Sequence, residues 1–173
     1  MSSNSVILID KHDNMLGTMD KMAAHKAGKL HRAFSVFIFD TSGRFLLQQR
    51  AAGKYHSGGL WSNTCCSHPA PGEQTIDAAH RRLMEEMGFA CKLDHAFNFI
   101  YNEEMNGLTE HELDHVFFGV CDTLPVPDPA EVSAFKYMPA DVLSRELNER
   151  PDIYSKWLKI CLDKVIAHQS LTT

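Results

Sequence analysis

The chain has 173 residues, 44% hydrophobic and 23% charged, a balance that describes one ordinary globular domain spanning residues 1–173. A net charge of −5 argues against a protein that coats nucleic acid, because neutralising phosphates takes clustered Lys and Arg. No apolar run approaches the ~20 residues of a membrane span, and the opening MSSNSVILID lacks the basic start of a secretory signal.

In chain order, Val6–Asp10 reads as a strand before a turn at Asp13-Asn14, and Thr18–Ala27 as a short helix ended by Gly28. Phe34–Asp40 and Arg44–Arg50 flank Thr41-Ser42-Gly43, a hairpin signal. From Thr75 to Met87 the apolar positions Ile76, Ala79, Leu83, Met84 and Met87 recur at helical spacing, with Thr75 as cap and Gly88 as stop. Strands follow at Ala96–Tyr101 and Glu110–Cys121, joined through Asn106-Gly107, and at Val132–Met138, with the proline-dense Leu124–Pro129 as a surface loop. A last helix from Pro151 carries Tyr154, Trp157, Leu158, Cys161 and Val165 on one stripe. Hairpin-linked strands interspersed with helices predict an α+β domain with mixed or antiparallel sheets.

Five irregularly spaced cysteines fit reduced thiols in a cytoplasm better than a disulfide framework. Ten histidines are the compositional anomaly, and histidine is the commonest metal ligand. In Glu110-His111-Glu112-Leu113-Asp114, strand alternation puts three carboxylates on one face and His111 and His115 on the other. Three like charges demand either a wet face on an edge strand or a bound cation; the wet edge is the simpler expectation. Cys66 and His68 share a face if their segment is extended, which Pro69 favours. They suit zinc ligation, a nucleophile with its base, or a buried thiol beside a surface ring. His25 and His31 flank the helix stop at Gly28.

The segment SHPAPGEQTIDAAHRRLMEEMGF from Ser67 resembles the Nudix signature, with Glu73, Arg81, Leu83, Glu85, Glu86, Gly88 and Phe89 in register. Ser67 replaces the signature's glycine, and Arg82 replaces one of the glutamates that hold catalytic metals in Nudix hydrolases. A cation there attracts phosphate oxygen rather than Mg²⁺, so the resemblance implies the fold without diphosphate hydrolysis. Arg81–Glu85 and Arg82–Glu86 pairs would support any charged helix, but not the whole registered pattern.

Together with HRAFSVFIFD, WSNTCCSHP and EHELDHVF, that helix resembles the type 1 isopentenyl-diphosphate isomerases from about Val6 to Leu162. The resemblance implies a single Nudix-type α/β/α domain that interconverts isopentenyl and dimethylallyl diphosphates. It implies one divalent metal (Mn, Mg or Zn) on His25, His31, His68, Glu110 and Glu112. Cys66 and Glu112 fall on the catalytic positions, Tyr101 beside that glutamate, and Trp157 over the hydrocarbon end of the substrate. Lys21, Arg50, Lys54 and Arg82 fall on diphosphate contacts. A second Mg²⁺ arriving with the diphosphate falls to Glu86 and the main-chain carbonyl of Cys66, and no flavin is implied. The chemistry needs these parts: an alkene isomerase requires an acid, a base and a water-free aromatic wall against a cationic intermediate. The rival readings are a Nudix diphosphohydrolase and a non-catalytic metal- or phosphate-binding domain.

Overall fold

The computed structural model describes residues 4–172. In chain order it has strands β1 (Ser5–Ile9) and β2 (Met15–Asp20), helix α1 (Lys21–Ala27), and strands β3 (His31–Phe39), β4 (Phe45–Arg50), β5 (Trp61–Ser62) and β6 (Cys65–Ser67). Helix α2 (Thr75–Met87), strands β7 (Asp94–Met105), β8 (Leu108–Val120) and β9 (Val132–Met138), and helices α3 (Ala140–Glu149) and α4 (Lys156–Leu171) follow. The predicted α+β class holds.

Strand β3 is the hub. It runs parallel to β8 from His31↔Glu112 to Phe39↔Val120 and antiparallel to β6 through Ser35↔Cys66. Alternation along β3 builds the two cores. Phe34, Val36 and Ile38 pack with Ala78, Ala79, Leu83 and Met87 of α2, whereas Phe37 and Phe39 pack with Trp157, Leu158, Cys161 and Val165 of α4. The sheet therefore lies between α2 on one face and α4 on the other, the layering that the family resemblance implied.

The predicted β3–β4 hairpin forms, but its strands pair only at Phe39↔Phe45 before diverging; β4 pairs mainly with β9. Asp40 sets the turn, accepting from the backbone N–H of Ser42 and Arg44. Asn106 and Gly107 close the β7–β8 hairpin, both at positive φ. The loop at Leu124–Pro129 is as expected, and it docks on α2 through Val126 N–H to the Met87 carbonyl.

Three local expectations need correction. Thr18–Asp20 belongs to β2, which pairs with β1 through Ile7↔Thr18, and α1 begins only after Asp20 accepts from the Ala23 N–H at 2.9 Å. Gly28 does end that helix, at φ 63°. Thr75 is the first helical residue of α2 rather than its cap, and Gln74 ahead of it makes no side-chain cap. Pro151 opens a single 3₁₀ turn, and extended Tyr154 bridges to Trp61 before α4 starts at Lys156. Helix α3 was missed; it is short and buries only Leu143 fully, so its apolar stripe is thin.

Candidate metal and proton-transfer site

Glu110, Glu112 and Asp114 are 2%, 5% and 2% exposed, because β8 runs between β3 and β7. The wet-edge expectation is therefore overturned. A row of buried carboxylates needs cations or protons. Asp114 leans toward its protonated form: burial and the neighbouring Glu112 push its carboxyl well above the usual range, and Ser35 Oγ donates to it at 2.7 Å.

Glu112 takes the other route. The β3–β8 pairing sets it opposite His31, and the antiparallel β3–β6 pairing ends next to His68. His31 Nε2 and His68 Nε2 lie 3.3 and 2.8 Å from Glu112 Oε1 and 3.2 Å from each other, while His25 Nε2 lies 3.9 Å from Oε1 of both Glu110 and Glu112. His25 and His31 each donate Nδ1–H to a main-chain carbonyl, of Lys21 at 2.6 Å and of Lys29 at 2.8 Å. In the neutral rings those bonds leave both Nε2 atoms as lone pairs aimed inward. Lone pairs facing carboxylate oxygens repel unless something positive lies among them.

The electrostatics agree. Burial holds the His68 imidazole down at about 3, so it is neutral at working pH. Burial alone would raise Glu112, but His68 and His31 hold its carboxyl well below the usual range. His31 goes the other way from His68: against burial, the Glu112 carboxylate raises its imidazole. Imidazole nitrogens converging on an ionised carboxylate suit a divalent cation such as Mn²⁺, Mg²⁺ or Zn²⁺. His25, His31, His68 and Glu112 form one ligand-capable group, and His25, Glu110 and His56 a second that shares His25. The buried Nε2 of His25 has no hydrogen-bond partner among the described residues, the orphaned state expected of a metal-facing donor, and Glu110 Oε1 meets the His56 Nε2 without a well-aligned hydrogen bond.

Tyr101 Oη lies 2.9 Å from Oε2 of Glu110 and 2.6 Å from Oε2 of Glu112, so its single proton sits between the two carboxylates. Burial and those carboxylates push its phenol well up, so it keeps its proton. A cavity of about 660 Å³ opens over this group, lined by Cys66, Tyr101, Glu110, Glu112 and Trp157 and also by Lys21, Arg50, Lys54, Arg82 and Glu86. Burial pushes the Cys66 thiol up to about 12, with Glu86, Asp114 and Glu110 adding to the effect of burial against Arg50. The thiol thus holds its proton. Trp157 is anchored by its indole N–H to Asn63 Oδ1 at 3.0 Å, under the Arg50 guanidinium at 5.2 Å.

The cationic rim is self-repelling: burial and then Lys54 lower the Lys21 ammonium, an arrangement that favours a polyanion. Arg82 pairs with Glu85 and Glu86 at 2.6 Å each and reaches Glu131 at 3.3 Å, while Lys54 also pairs with Glu131. Glu86 is gripped by Arg82 and by Gln48 Nε2 at 2.8 Å, outside both ligand groups. All residues of the expected site except His25 and His31 line the cavity; those two lie fully buried behind it. Sequence reasoning missed His56, Tyr55 and Glu131, which nothing local marks; Asp114 was read with the period-two carboxylates of β8 but given no role.

This layered sheet with its helix-borne carboxylates is the architecture of the NUDIX domain, whose family model matches residues 29–158. A crystal structure from Deinococcus radiodurans superposes with a TM-score of 0.79 at 14% identity, covering 92% of this chain and 98% of that one. A MutT NUDIX hydrolase from Burkholderia pseudomallei gives 0.63 at 21%, over 79% and 98%. Sequence relatives are far nearer. Isopentenyl-diphosphate Delta-isomerase 2 of Aromatoleum aromaticum is 56% identical across 97% of this chain and 89% of its own length. The isopentenyl-diphosphate Delta-isomerase of Pectobacterium atrosepticum is 49% identical across 95% and 93%. The chain belongs to the isopentenyl-diphosphate Delta-isomerase family.

Proposed function

We propose that this protein interconverts isopentenyl and dimethylallyl diphosphates by moving a double bond within the C₅ chain. One observation carries the chemistry: two titratable groups facing one cavity have their proton affinities driven apart, Cys66 up to about 12 and Glu112 well below its usual range. Such a separation assigns a proton donor and a proton acceptor. In one direction the thiol gives its proton to one alkene carbon, and the carboxylate takes a proton from the carbon on the other side of the branch. The opposite direction runs with the roles exchanged. Atoms balance, and no phosphate leaves.

The remaining residues serve that transfer. Lys21, Arg50, Lys54 and Arg82 hold the diphosphate, leaving the hydrocarbon against Trp157, whose ring face stabilises positive charge that develops between the two steps. Tyr101 donates to Glu112 and fixes its orientation. His25, His31, His68, Glu110 and Glu112 hold one divalent ion, which when bound supplies a fixed positive charge that tunes the proton affinity of Glu112. Glu86 and the Cys66 carbonyl receive the Mg²⁺ that accompanies the diphosphate.

The test is incubation with isopentenyl diphosphate and Mg²⁺ in D₂O. Deuterated dimethylallyl diphosphate without free phosphate is expected. Stoichiometric phosphate release would place the protein with the diphosphohydrolases.

A further inference from the structure

His56 stands outside the ligand set implied by family resemblance, yet it is built into the centre. It lies in the loop after β4 and is 6% exposed. Its Nε2 closes on Glu110 Oε1, and among the described residues neither ring nitrogen makes a hydrogen bond that meets strict geometry. The ring packs edge-on to Tyr55 at 4.0 Å and to Trp157 at 5.7 Å between centroids. Its main-chain carbonyl accepts from Arg50 Nη2 at 3.4 Å. A buried imidazole aimed at a buried carboxylate is costly unless it donates to that carboxylate.

We propose that His56 is a positioning residue of the metal centre, donating Nε2–H to Glu110 Oε1 and so setting that carboxylate toward the ion. The inference rests on the metal-centre reading above. Tyr101 Oη lies 2.9 Å from the other oxygen of Glu110, so the carboxylate is bracketed at both ends. A positioning role, rather than direct ligation, follows from aim: Nε2 of His56 closes on Glu110 Oε1, and among the described residues the only ligand-capable group that includes His56 is the one it forms with Glu110 and His25. The same ring touches Trp157, so the loop that carries Lys54 places the metal-side carboxylate and the aromatic wall together.

Mn²⁺ affinity of the purified chain, measured by chelator competition alongside the thermal midpoint of the metal-free protein, tests this. His56→Phe keeps a ring against Tyr55 and Trp157 but has no N–H. It should weaken Mn²⁺ binding by about 10–100-fold, the usual effect of losing an outer-shell partner, and leave the metal-free midpoint unchanged. His56→Gln restores an N–H and should recover most of the affinity. If wild type binds tightly, His25→Ala abolishes binding and His56→Phe binds like wild type, the role of His56 is overturned alone. No binding by wild type would overturn the metal centre as well. Equal losses in both His56 variants, with a lowered metal-free midpoint, would reduce the residue to packing.

Discussion

A thiol that resists ionisation is a poor nucleophile and a good proton reservoir, so burial of Cys66 directs the site toward proton transfer and away from covalent catalysis. Cys66→Ala and Glu112→Gln should each lower turnover by about 10²–10⁴-fold, since each deletes a proton-transfer group. They should differ in metal content: Cys66→Ala keeps the ion, whereas Glu112→Gln loses a ligand and weakens it, as elemental analysis would read. Near-normal turnover in Cys66→Ala would make the thiol structural. Trp157 is buried in the α4 core and also lines the cavity, so packing and catalysis must be separated. Charge on the substrate carbons peaks in the transition state, so a cation–π contact of up to about 2 kcal/mol acts on kcat. That energy is roughly thirty-fold in rate. Trp157→Phe should therefore lose less kcat than Trp157→Leu, and losses that merely track the thermal midpoint would leave Trp157 as packing alone.

Helix α2 joins the site to the loops around it. Gly88 ends it at φ 74°, and an added Cβ would stand 2.2 Å from the Val126 carbonyl oxygen. The same loop takes Asp128 N–H onto the Glu86 carbonyl and then presents Glu131 to Arg82 and Lys54. Gly88→Ala should therefore destabilise by more than about 1 kcal/mol, lowering the midpoint by at least about 2–4 °C, and weaken diphosphate binding with it. An unchanged KM would show that this loop does not support the cation rim. At the other end of the helix Arg81 makes a two-pronged bond to Glu73 at 2.7 and 2.9 Å, which holds the Glu73 carboxyl below its usual range. A depressed carboxyl contributes stability above its unfolded value of 4.5 and loses it as pH falls through the folded value. Glu73→Gln should thus be less stable than wild type by up to about 1 kcal/mol near neutral pH. The gap should close below pH 4.5, and a pH-independent gap in denaturant midpoints would refute the linkage. The signature helix was legible because its apolar period and its charges agree on one register. Helix α3 was not, having one deep anchor in Leu143, and the two-residue strand β5 has no period to read. The proposed ligands surfaced through family motifs. His56 did not, because only the tertiary path of its loop brings it to Glu110.

The molecule gathers the donors proposed to face a metal from four separate places: α1, the start of β3, the residue after β6 and the first half of β8. The consequence falls mainly on α1. A helix of seven residues is too short to persist on propensity, and this one buries only Ala24 and His25. Its Asp20 cap and Gly28 stop hold its ends, but its inward face is largely the ligand itself. Helix α2, by contrast, is held by Ala78, Ala79, Leu83 and Met87 in an apolar core that needs no ion. Mn²⁺ at a hundred times its dissociation constant should add about 2.7 kcal/mol to the native state, and chelation should remove it. Chelation should speed amide hydrogen exchange most in α1 and in the His31 end of β3, with α2 and α4 changing little. His25→Ala should show that fast exchange in α1 whether or not Mn²⁺ is present. Uniform slowing of exchange across all four helices on adding Mn²⁺ would mean that the ion stabilises the fold globally and that α1 stands without it.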